Sequence, residues 1–477
     1  MDPALELDVT RSSPRSLSEQ IRLGIGAAIR EGRLAPGARL PSWRDLAVQL
    51  GVARGTVRVA YERLADEQLI VALGPAGTFV EDRLPALPAV VPAPPSVRML
   101  APRIPIEFDT PPRPFQVAVP AHDAFPVAQW SRIAARATRA VAERGVFNAD
   151  PRGEPALRRE IAAHLSIARG LRCTAEQIFI TSGYAGGLGM ALRALQLRTS
   201  TVWTEDPGYP FTREGLRIAG LSPVPVRVDE EGMVVQEALA TESTASLAVV
   251  TAAQQSPLGV SLSLARRREL LSWAESADGW IIDDDYLSEL QLTGRAAPAL
   301  ASLDQHGRVI HVGTFSKTIN PALRLGFIAA PTALIDRFDA MTSLSPASGA
   351  NTQIAVAEFM RDGHFLRHLR RMKRLYLRRR EAIESSLGQW FPLTRLAGPM
   401  MLLQLPAGVD DVEVASRAWA SGFGVAPYSP WFHDERNCQR GLVLGVANTP
   451  AEAVAKLAGD LAQVIELSLH GPLGGAP

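Results

Sequence analysis

Three kinds of side chain are spaced along the second half of the chain as a covalent cofactor site requires. Lys317 ends the segment Gly313-Thr-Phe-Ser-Lys317, Ile281-Ile-Asp-Asp-Asp-Tyr286 lies roughly thirty residues upstream, and Arg324 follows in Pro321-Ala-Leu-Arg-Leu-Gly326. A lysine amine can form an imine with an aldehyde cofactor. Lysine is also rare here, with Lys373 and Lys456 as the other two among 50 basic residues. The sequence therefore predicts that Lys317 has a chemical role.

The residues around Lys317 suit pyridoxal phosphate among the aldehyde cofactors. A carboxylate beside its pyridine nitrogen keeps that nitrogen protonated and makes the ring an electron sink. Hydroxyl groups and an arginine suit the phosphate, because a guanidinium binds phosphate with two parallel hydrogen bonds. Both segments end strand-like runs, and open α/β sheets bind ligands at the carboxyl ends of their strands.

The elements that must position these residues follow an α/β pattern from residue 115 onward. Continuous apolar runs are typical of strands buried on both faces of a mainly parallel sheet. The arginine-rich segment 367–380 has helical spacing and is predicted to connect to a small C-terminal α+β subdomain. Arg213, Arg217 and the arginines of 367–380 are interpreted as solvated helix faces. The strand-like runs are 178–180, 200–203, 247–250, 280–282, 309–312 and 325–329.

Residues 17–80 have the element order of a winged helix-turn-helix. Apolar spacing predicts a helix over 17–30, Pro41-Ser42 opens a second helix over 43–50, and a third runs from about 54 to 68. Two short strand-like runs then flank Gly74-Pro-Ala-Gly77, as in a β-hairpin. Gly51 supplies the turn between the second and third helices.

Arginines concentrate in this N-terminal part. Residues 11–58 contain nine arginines and three acidic residues, a distribution that indicates a phosphate-binding surface. Arg54, Thr56 and Arg58 are predicted at the exposed start of the third helix, where a major groove is read. Arg44 and the hairpin glycine Gly77 complete the predicted contacts with double-stranded DNA.

Ten prolines between residues 85 and 114 predict a semi-rigid linker. We therefore expect a DNA-binding domain over 1–82, a proline-rich linker over 83–114 and an effector domain over 115–477. The start of the chain lacks a signal-peptide pattern, no stretch approaches about 20 uncharged apolar residues, and Cys173 and Cys438 match neither a redox pair nor a metal site. A cytoplasmic protein that neither spans a membrane nor binds a metal is expected.

The segment Leu40-Pro-Ser-Trp-Arg-Asp-Leu-Ala…Leu-Gly-Val-Ala-Arg-Gly-Thr-Val…Ala-Tyr-Glu-Arg-Leu64 resembles the GntR family of winged-helix regulators over residues 17–80. This resemblance implies operator DNA as a partner. Trp43 replaces the family's small polar residue, Ala53 its serine cap and Gln68 its glycine. Loss of the cap oxygen is expected to cost ~1 kcal/mol of helix stability.

Residues 115 to about 465 resemble fold type I aminotransferases, and the whole chain resembles the MocR subfamily of GntR regulators. The matching motifs include Asp150-Pro-Arg-Gly153, Glu205-Asp-Pro-Gly-Tyr209 and the Thr-Phe-Ser-Lys motif. The resemblance implies that Lys317 holds pyridoxal phosphate as an internal aldimine. It also implies partners for each part of the cofactor: Asp284 for the pyridine nitrogen, with Asp283 or Asp285 as alternatives; Tyr286 for the ring hydroxyl; Tyr209 stacked on the ring; and the backbone N–H groups of Tyr184 and Ala185 with Thr314, Ser316 and Arg324 for the phosphate.

Three positions depart from the aminotransferase pattern. Phe147 stands at the tyrosine whose hydroxyl reaches the partner subunit's phosphate, and Ser256 stands at the asparagine that contacts the ring hydroxyl. Val443 occupies the place of the arginine that clamps a substrate carboxylate, with Arg440 or Arg436 as possible substitutes. A missing clamp removes much of the positioning that turnover needs.

These observations favour a transcriptional regulator over an enzyme. We expect a homodimer that binds operator DNA and senses either pyridoxal phosphate itself or an amino compound that displaces Lys317 from the cofactor. The first alternative is a working aminotransferase with an accessory DNA-binding domain. The second is a cofactor reservoir whose DNA binding is only salt-sensitive and nonspecific.

Overall fold

The computed structural model describes residues 7, 9–10, 13, 15–82, 111–144, 149–197, 200–242, 244–294, 296–344, 348–433 and 438–470. The chain divides into two compact units, residues 1–98 and 99–477. Residues 83–110, which make up most of the predicted linker, lie outside the described part, as do Phe147 and Arg436. The domain boundaries at residues 82 and 114 therefore stay predictions.

The first unit contains three helices and a small antiparallel sheet. Ser16 and Ser42 each accept a hydrogen bond from a backbone N–H in the first turn of a helix, so that two helices begin with a side-chain cap. Gly51 has a φ of 65°, the left-handed conformation that ends the second helix. The elements are α1 (Leu17–Arg30), β1 (Arg39–Leu40), α2 (Trp43–Leu50), α3 (Arg54–Asp66), β2 (Ile70–Ala72) and β3 (Thr78–Val80), with the sheet order β1-β3-β2.

This arrangement confirms the predicted winged helix-turn-helix. Its core includes Ile21, Leu46 and Leu64, which are completely buried. Ala53 forms no side-chain hydrogen bond at the start of α3. The third helix therefore begins without the cap that the first two have.

Eight strands form the central sheet of the second unit, in the order β4-β11-β10-β9-β8-β5-β6-β7. The pairs from β10 through β9, β8 and β5 to β6 are parallel, while β11 and β7 run antiparallel to their neighbours. The strands are β4 (Ile178–Thr181), β5 (Thr201–Asp206), β6 (Ser222–Asp229), β7 (Gly232–Met233), β8 (Leu247–Val250), β9 (Trp280–Asp285), β10 (Val309–Thr314) and β11 (Gly326–Ala329). The mostly parallel α/β sheet is as predicted.

Helices cover both faces of this sheet. On β4, Ile178 and Ile180 belong to one apolar cluster and Phe179 to another, because successive side chains point to opposite faces. The helices of this part are α4 (Val127–Glu143), α5 (Pro155–Arg169), α6 (Tyr184–Leu195), α7 (Pro210–Ile218), α8 (Val235–Thr241), α9 (Leu264–Ser276), α10 (Ile335–Thr342), α11 (Ala350–Arg361) and α12 (His364–Leu387). In the described residues, no helix is long and apolar enough to cross a membrane.

Helix α12 leads into a small antiparallel sheet with the order β12-β13-β15-β14. The predicted α+β subdomain therefore follows the arginine-rich helix. The prediction of a solvated arginine face is wrong for Arg379 and Arg380, which are buried; Arg379 contacts Asp123 and the carbonyl of Ala447. The elements are β12 (Leu393–Arg395), β13 (Met400–Gln404), α13 (Asp411–Ala420), β14 (Ala426–Pro427), β15 (Gly441–Gly445) and α14 (Val454–His470).

Candidate functional site

The end of β9 separates its three aspartates between the two faces of the sheet. Asp284 lines a cavity together with Tyr184 and Tyr209, and the charge of Lys317 acts on it. Asp283 and Asp285 point the other way, because side chains alternate along a strand. Of the three carboxylates, Asp284 is therefore the one on the side of Lys317.

Asp284 is a buried carboxyl group that lacks an opposite charge in hydrogen-bond contact. Its Oδ1 atom has no hydrogen-bond partner among the described residues. Burial, together with the negative charges of Asp283 and Asp285, raises the pKa of Asp284 well above its usual range, while Lys317 opposes this shift. A cation bound beside Asp284 would supply the opposite charge and the hydrogen-bond donor that this buried carboxyl group lacks.

Two titratable groups on the reverse face neutralise the other aspartates. His311 on β10 lies 3.3 Å from Asp283 through its Nδ1 atom, and Arg169 donates from Nε to Asp285 at 2.8 Å. The backbone N–H of Leu300 also donates to Asp283 at 3.3 Å. Asp283 and Asp285 thus each have a protein partner at Oδ2, although their Oδ1 atoms, like that of Asp284, have no hydrogen-bond partner among the described residues.

Lys317 follows the end of β10 and is half-buried. Its Nζ atom donates to the backbone carbonyl of Ala118 at 3.1 Å. Burial lowers the pKa of Lys317 to about 8, against the influence of Asp284. A larger fraction of the amine is therefore neutral near physiological pH than in an ordinary lysine.

Tyr286 and Ser256 lie together in the buried part of the site. The Tyr286 hydroxyl forms no hydrogen bond within the described residues, and burial raises the pKa of Tyr286, with the Ser256 side chain opposing this. The Ser256 backbone N–H donates to Oγ1 of Thr251 at 2.9 Å. Tyr286 therefore has a free hydroxyl for a ligand.

Residues from two strand ends converge on the first turn of α6. A methyl group placed on Gly183, which precedes this helix at a φ of 84°, would lie 3.9 Å from Ser316 Oγ and 4.0 Å from the guanidinium carbon of Arg324. Tyr184 and Ala185 are the first two residues of the helix. Helix N-termini bind anions because their N–H groups are unpaired. Thr314 is adjacent, and its Oγ1 accepts a hydrogen bond from the Ser316 N–H at 3.2 Å.

Tyr209 occupies the position just before α7 and lies in an aromatic group beside Asp284. Its ring centroid is 6.1 Å from that of Tyr184 and 5.9 Å from that of Trp431. Burial and the charge of Asp284 raise the pKa of Tyr209 to about 12. The phenol therefore stays neutral, which suits a packing role against a ring.

Two buried charged residues at this site were not recognised from the sequence. Glu205 accepts hydrogen bonds from Thr251 Oγ1 at 2.5 Å and Gln255 Nε2 at 3.2 Å, and burial raises the pKa of Glu205 to about 7. Its place in the motif Glu205-Asp-Pro-Gly-Tyr209 is the one signal that the sequence offers for it.

Arg213 is the second of these residues. Arg213 is buried, so its interpretation as part of a solvated helix face is wrong. Its guanidinium donates to the carbonyl oxygens of Gly208, Pro430, Trp431 and Phe432 at 3.1, 2.6, 2.8 and 3.1 Å. These bonds connect α7 to the chain that follows β14.

The aminotransferase arginine that clamps a substrate carboxylate has no counterpart at Val443, and Arg440, one of its two suggested substitutes, pairs with an acidic residue. Val443 is completely buried in the small sheet, where it pairs with Leu402 and Ala426. Arg440 donates to Asp411 at 3.2 Å. Residue 443 therefore supplies no charge to the site.

The first unit presents its arginines at the start of α3. Arg54 and Arg58 are exposed, Thr56 is half-buried, and Arg58 lies 3.5 Å from Glu62 in an ion pair. Arg44 is also exposed, with its guanidinium 4.8 Å from the centre of the Trp43 ring. These residues are candidate DNA contacts on the helix-turn-helix.

Gly77 lies at the hairpin between β2 and β3 with a φ of 115°. A side chain there would come within 3.1 Å of the Arg39 guanidinium. The backbone conformation favours glycine, whereas the arginine side chain could move aside. The neighbouring strand β1 therefore places an exposed arginine, Arg39, next to the glycine predicted to approach the minor groove.

Comparison with known proteins agrees with this two-part organisation. Residues 17–80 match the family of bacterial regulatory proteins of the gntR type, and residues 121–429 match aminotransferase class I and II. An archaeal alanine:glyoxylate aminotransferase superposes with a TM-score of 0.67 at 25% identity, covering 75% of this chain and 91% of that one. The LysN α-aminoadipate aminotransferase of Thermus thermophilus, solved with N-(5'-phosphopyridoxyl)-L-leucine, gives 0.66 at 25%, covering 74% and 92%.

Relatives that match both parts together are regulators by name. The probable rhizopine catabolism regulatory protein MocR of Rhizobium meliloti is 33% identical over 93% of this chain and 92% of its own. The pyridoxine biosynthesis transcriptional regulator PdxR of Corynebacterium glutamicum is 32% identical over 96% of both chains. These matches support the regulator interpretation over the aminotransferase alternative. The chain therefore belongs to the MocR-type subfamily of GntR transcriptional regulators.

Proposed function

We propose that this protein is a transcriptional regulator that binds operator DNA as a homodimer and uses its aminotransferase-like unit to sense pyridoxal phosphate or an amino compound that reacts with it. The observation that carries the sensor part is Asp284, a buried carboxyl group without a hydrogen-bonded cation and on the same side as Lys317. The name of the Corynebacterium relative, a regulator of pyridoxine biosynthesis, favours the vitamin-derived cofactor as the effector.

The chain's own residues fit each part of pyridoxal phosphate. Asp284 would hold a protonated pyridine nitrogen, Tyr286 with Ser256 would bind the ring hydroxyl, and Tyr209 would pack on the ring. The N–H groups of Tyr184 and Ala185 would bind the phosphate, together with Thr314, Ser316 and Arg324. Lys317 is the attachment point, and when bound the cofactor supplies an electrophilic carbon and an electron sink.

The remaining steps belong to the protein. Lys317 must lose its ammonium proton before it can attack, and burial beside apolar atoms favours that loss. Asp284 must stay ionised in the loaded state, where the bound cation offsets its desolvation. A carboxylate clamp is absent at Val443, so an amino effector would be held mainly through its amine and the ring pocket. This favours sensing over repeated turnover.

Titration of the purified protein onto the DNA upstream of its own gene tests this function. We expect specific binding whose affinity changes when pyridoxal phosphate is added, because a ligand shifts an equilibrium only by binding one state better. A scrambled duplex of equal length is the control. Specific binding that ignores the cofactor would move the effector assignment to an amino compound. Equal binding to both duplexes, in both states, would contradict operator recognition at this site.

The rate of cofactor capture should follow the ionisation of Lys317. With a pKa of about 8, the neutral amine fraction at pH 7 is roughly two orders of magnitude larger than in an ordinary lysine. We expect the rate to rise about tenfold per pH unit below pH 8 and to level off above it. Stopped-flow absorbance measures the rate of cofactor capture. The same measurement with Nα-acetyl-lysine is the reference, because it shows the part of the pH dependence that comes from ionisation of the cofactor itself. A rate that climbs steadily to pH 10 would contradict a depressed pKa.

Arg54 and Arg58 should determine DNA specificity, whereas Arg44 should contribute mainly affinity. Replacing Arg54 or Arg58 by alanine is expected to cost about 1–3 kcal/mol on the operator and to narrow the difference from a scrambled duplex. For Arg44→Ala we expect similar losses on both duplexes and a salt slope smaller by about one unit. Fluorescence anisotropy at several salt concentrations separates these patterns.

Arg63→Ala is the matched control for these variants. Arg63 lies at the far end of α3 and pairs with Glu19 at 3.1 Å. If Arg63→Ala weakened operator binding as much as Arg54→Ala, the assignment of the contacts to the start of α3 would be wrong.

A further inference from the structure

The chain enters the second unit through residues 113–121, which contact both the small sheet and the candidate site. Among the residues of this segment, Phe115 and Ala118 have φ values of 60° and 68°, a left-handed conformation that residues with a Cβ rarely adopt. Such conformations persist only where surrounding contacts hold them. The contacts of the 113–121 segment therefore decide its conformation.

One set of contacts joins the segment to the neighbourhood of β15. The Phe115 N–H donates to Thr449 Oγ1 at 2.8 Å, and the Phe115 carbonyl accepts from the Gly445 N–H at 2.8 Å. The Val119 carbonyl accepts from Asn448 Nδ2 at 3.0 Å. These bonds hold the segment on both sides of Ala118.

A further contact of this segment, at Ala118, comes from the reactive lysine. The Ala118 carbonyl accepts a hydrogen bond from Lys317 Nζ at 3.1 Å, across 199 positions of sequence. A hydrogen bond from a charged donor is stronger than one between neutral groups. The free lysine thus adds a stabilising contact to the left-handed turn at Ala118.

We propose that the 113–121 segment reports the state of Lys317, and that attachment of an aldehyde cofactor releases the Ala118 carbonyl. This inference rests on the proposed function. In the attachment a C=N bond forms, the aldehyde C=O bond breaks, and two amine hydrogens leave with the oxygen as water. The nitrogen then carries at most one hydrogen, fixed in the plane of the double bond, instead of the three freely rotating donors of an ammonium group.

The release matters because of where the segment lies in the chain. Residues 83–110 connect it directly to the winged-helix unit in sequence. A change in the conformation of 113–121 is therefore a change in the part of the effector unit that lies nearest in sequence to the winged-helix unit. An amino compound that takes the cofactor from Lys317 returns the free amine and restores the hydrogen bond. The hydrogen bond from Lys317 to the Ala118 carbonyl would thus be absent in the loaded state and present in both the cofactor-free and the amine-bound states.

Hydrogen–deuterium exchange on the full-length protein tests the inference, with pyridoxal phosphate as the probe. We compare the peptide that covers 113–121 in the cofactor-free protein, in the loaded protein and in two variants. Lys317→Met removes the donor, whereas Lys317→Arg keeps a cationic donor that cannot form the C=N bond. Lys456→Met, at an exposed lysine on α14, is the control for a lysine-to-methionine change.

Exchange in the segment should become about tenfold faster on loading. It should be equally fast in cofactor-free Lys317→Met. In Lys317→Arg it should stay slow with or without the cofactor, and Lys456→Met should behave as the unchanged protein. Exchange in 113–121 that is the same in Lys317→Met as in the unchanged protein would overturn the inference.

The absorbance of bound cofactor, read on the same samples, separates the two proposals. Absence of binding would refute the proposed cofactor, while the comparison of the cofactor-free Met and Arg variants would still test the Ala118 contact. Binding without a change of exchange in the segment would leave the proposed function standing and refute the inference.

Discussion

Replacing Lys317 by alanine should abolish the borohydride-stable adduct with pyridoxal phosphate. Reduction converts a C=N bond between lysine and cofactor into a stable C–N bond, so peptide mass spectrometry locates the modified residue. Lys373 and Lys456 are the other lysines of the chain, which leaves few competing sites. We expect the adduct on Lys317 in the unchanged protein and its loss in Lys317→Ala. DNA binding without the cofactor should remain, and its response to the cofactor should disappear.

Lys373→Ala and Lys456→Ala are the matched controls for this experiment. Both should keep the adduct and the cofactor-dependent change in DNA binding, because Lys373 lies on α12 and Lys456 on α14, whereas Lys317 follows the end of β10 and is the lysine whose charge acts on Asp284. An adduct that persists at full yield in Lys317→Ala would place the attachment elsewhere. A preserved cofactor response in that variant would show that covalent attachment is not needed for sensing.

Replacing Asp284 by asparagine should have two opposite effects. The loaded state loses a buried charge pair, which costs about 3–5 kcal/mol, and cofactor affinity should fall more than a hundredfold. The cofactor-free protein, by contrast, loses a buried carboxylate and should be more stable by about 1–3 kcal/mol. Fluorescence titration with pyridoxal phosphate measures the first effect, and thermal unfolding of the cofactor-free protein measures the second.

The pH dependence follows from the raised pKa of Asp284. A carboxyl group whose pKa is higher in the folded than in the unfolded state destabilises the fold at neutral pH, and this cost disappears as the pH falls below the ordinary aspartate range. The stability difference between Asp284→Asn and the unchanged protein should therefore shrink toward pH 4. Asp278→Asn, at an exposed acid just before β9, is the control. If Asp284→Asn lowered both stability and affinity, the residue would be a structural partner and not a cofactor ligand.

Much of the site could be predicted because its residues sit at strand ends with recognisable chemistry. Lys317, Asp284 and Arg324 lie in short motifs, and the fold brings them together at one edge of the sheet, as the sequence predicts. Which aspartate faces Lys317 could not be decided from the motif alone. That choice depends on His311 and Arg169, whose pairing with the other two aspartates appears only in three dimensions.

Contacts with backbone carbonyls left no signal in the sequence. Arg213 is surrounded by four carbonyl oxygens, and Lys317 donates to the carbonyl of Ala118. Any residue type can supply a carbonyl, so neither contact has a residue pattern. The result was an incorrect solvated assignment for Arg213 and no expectation for Ala118.

The division of the three aspartates also has a consequence for how β9 is aligned during folding. A slip by one residue would exchange the two faces of the strand. Asp283 and Asp285 would then lie on the face of Lys317, and Asp284 alone would remain on the reverse face for both His311 and Arg169. Unpaired charges in a buried sheet cost several kcal/mol each. The three aspartates therefore favour the correct register of β9. Ile281 and Ile282 have the same side chain and would tolerate a one-residue slip, whereas the same slip leaves buried charged groups without partners.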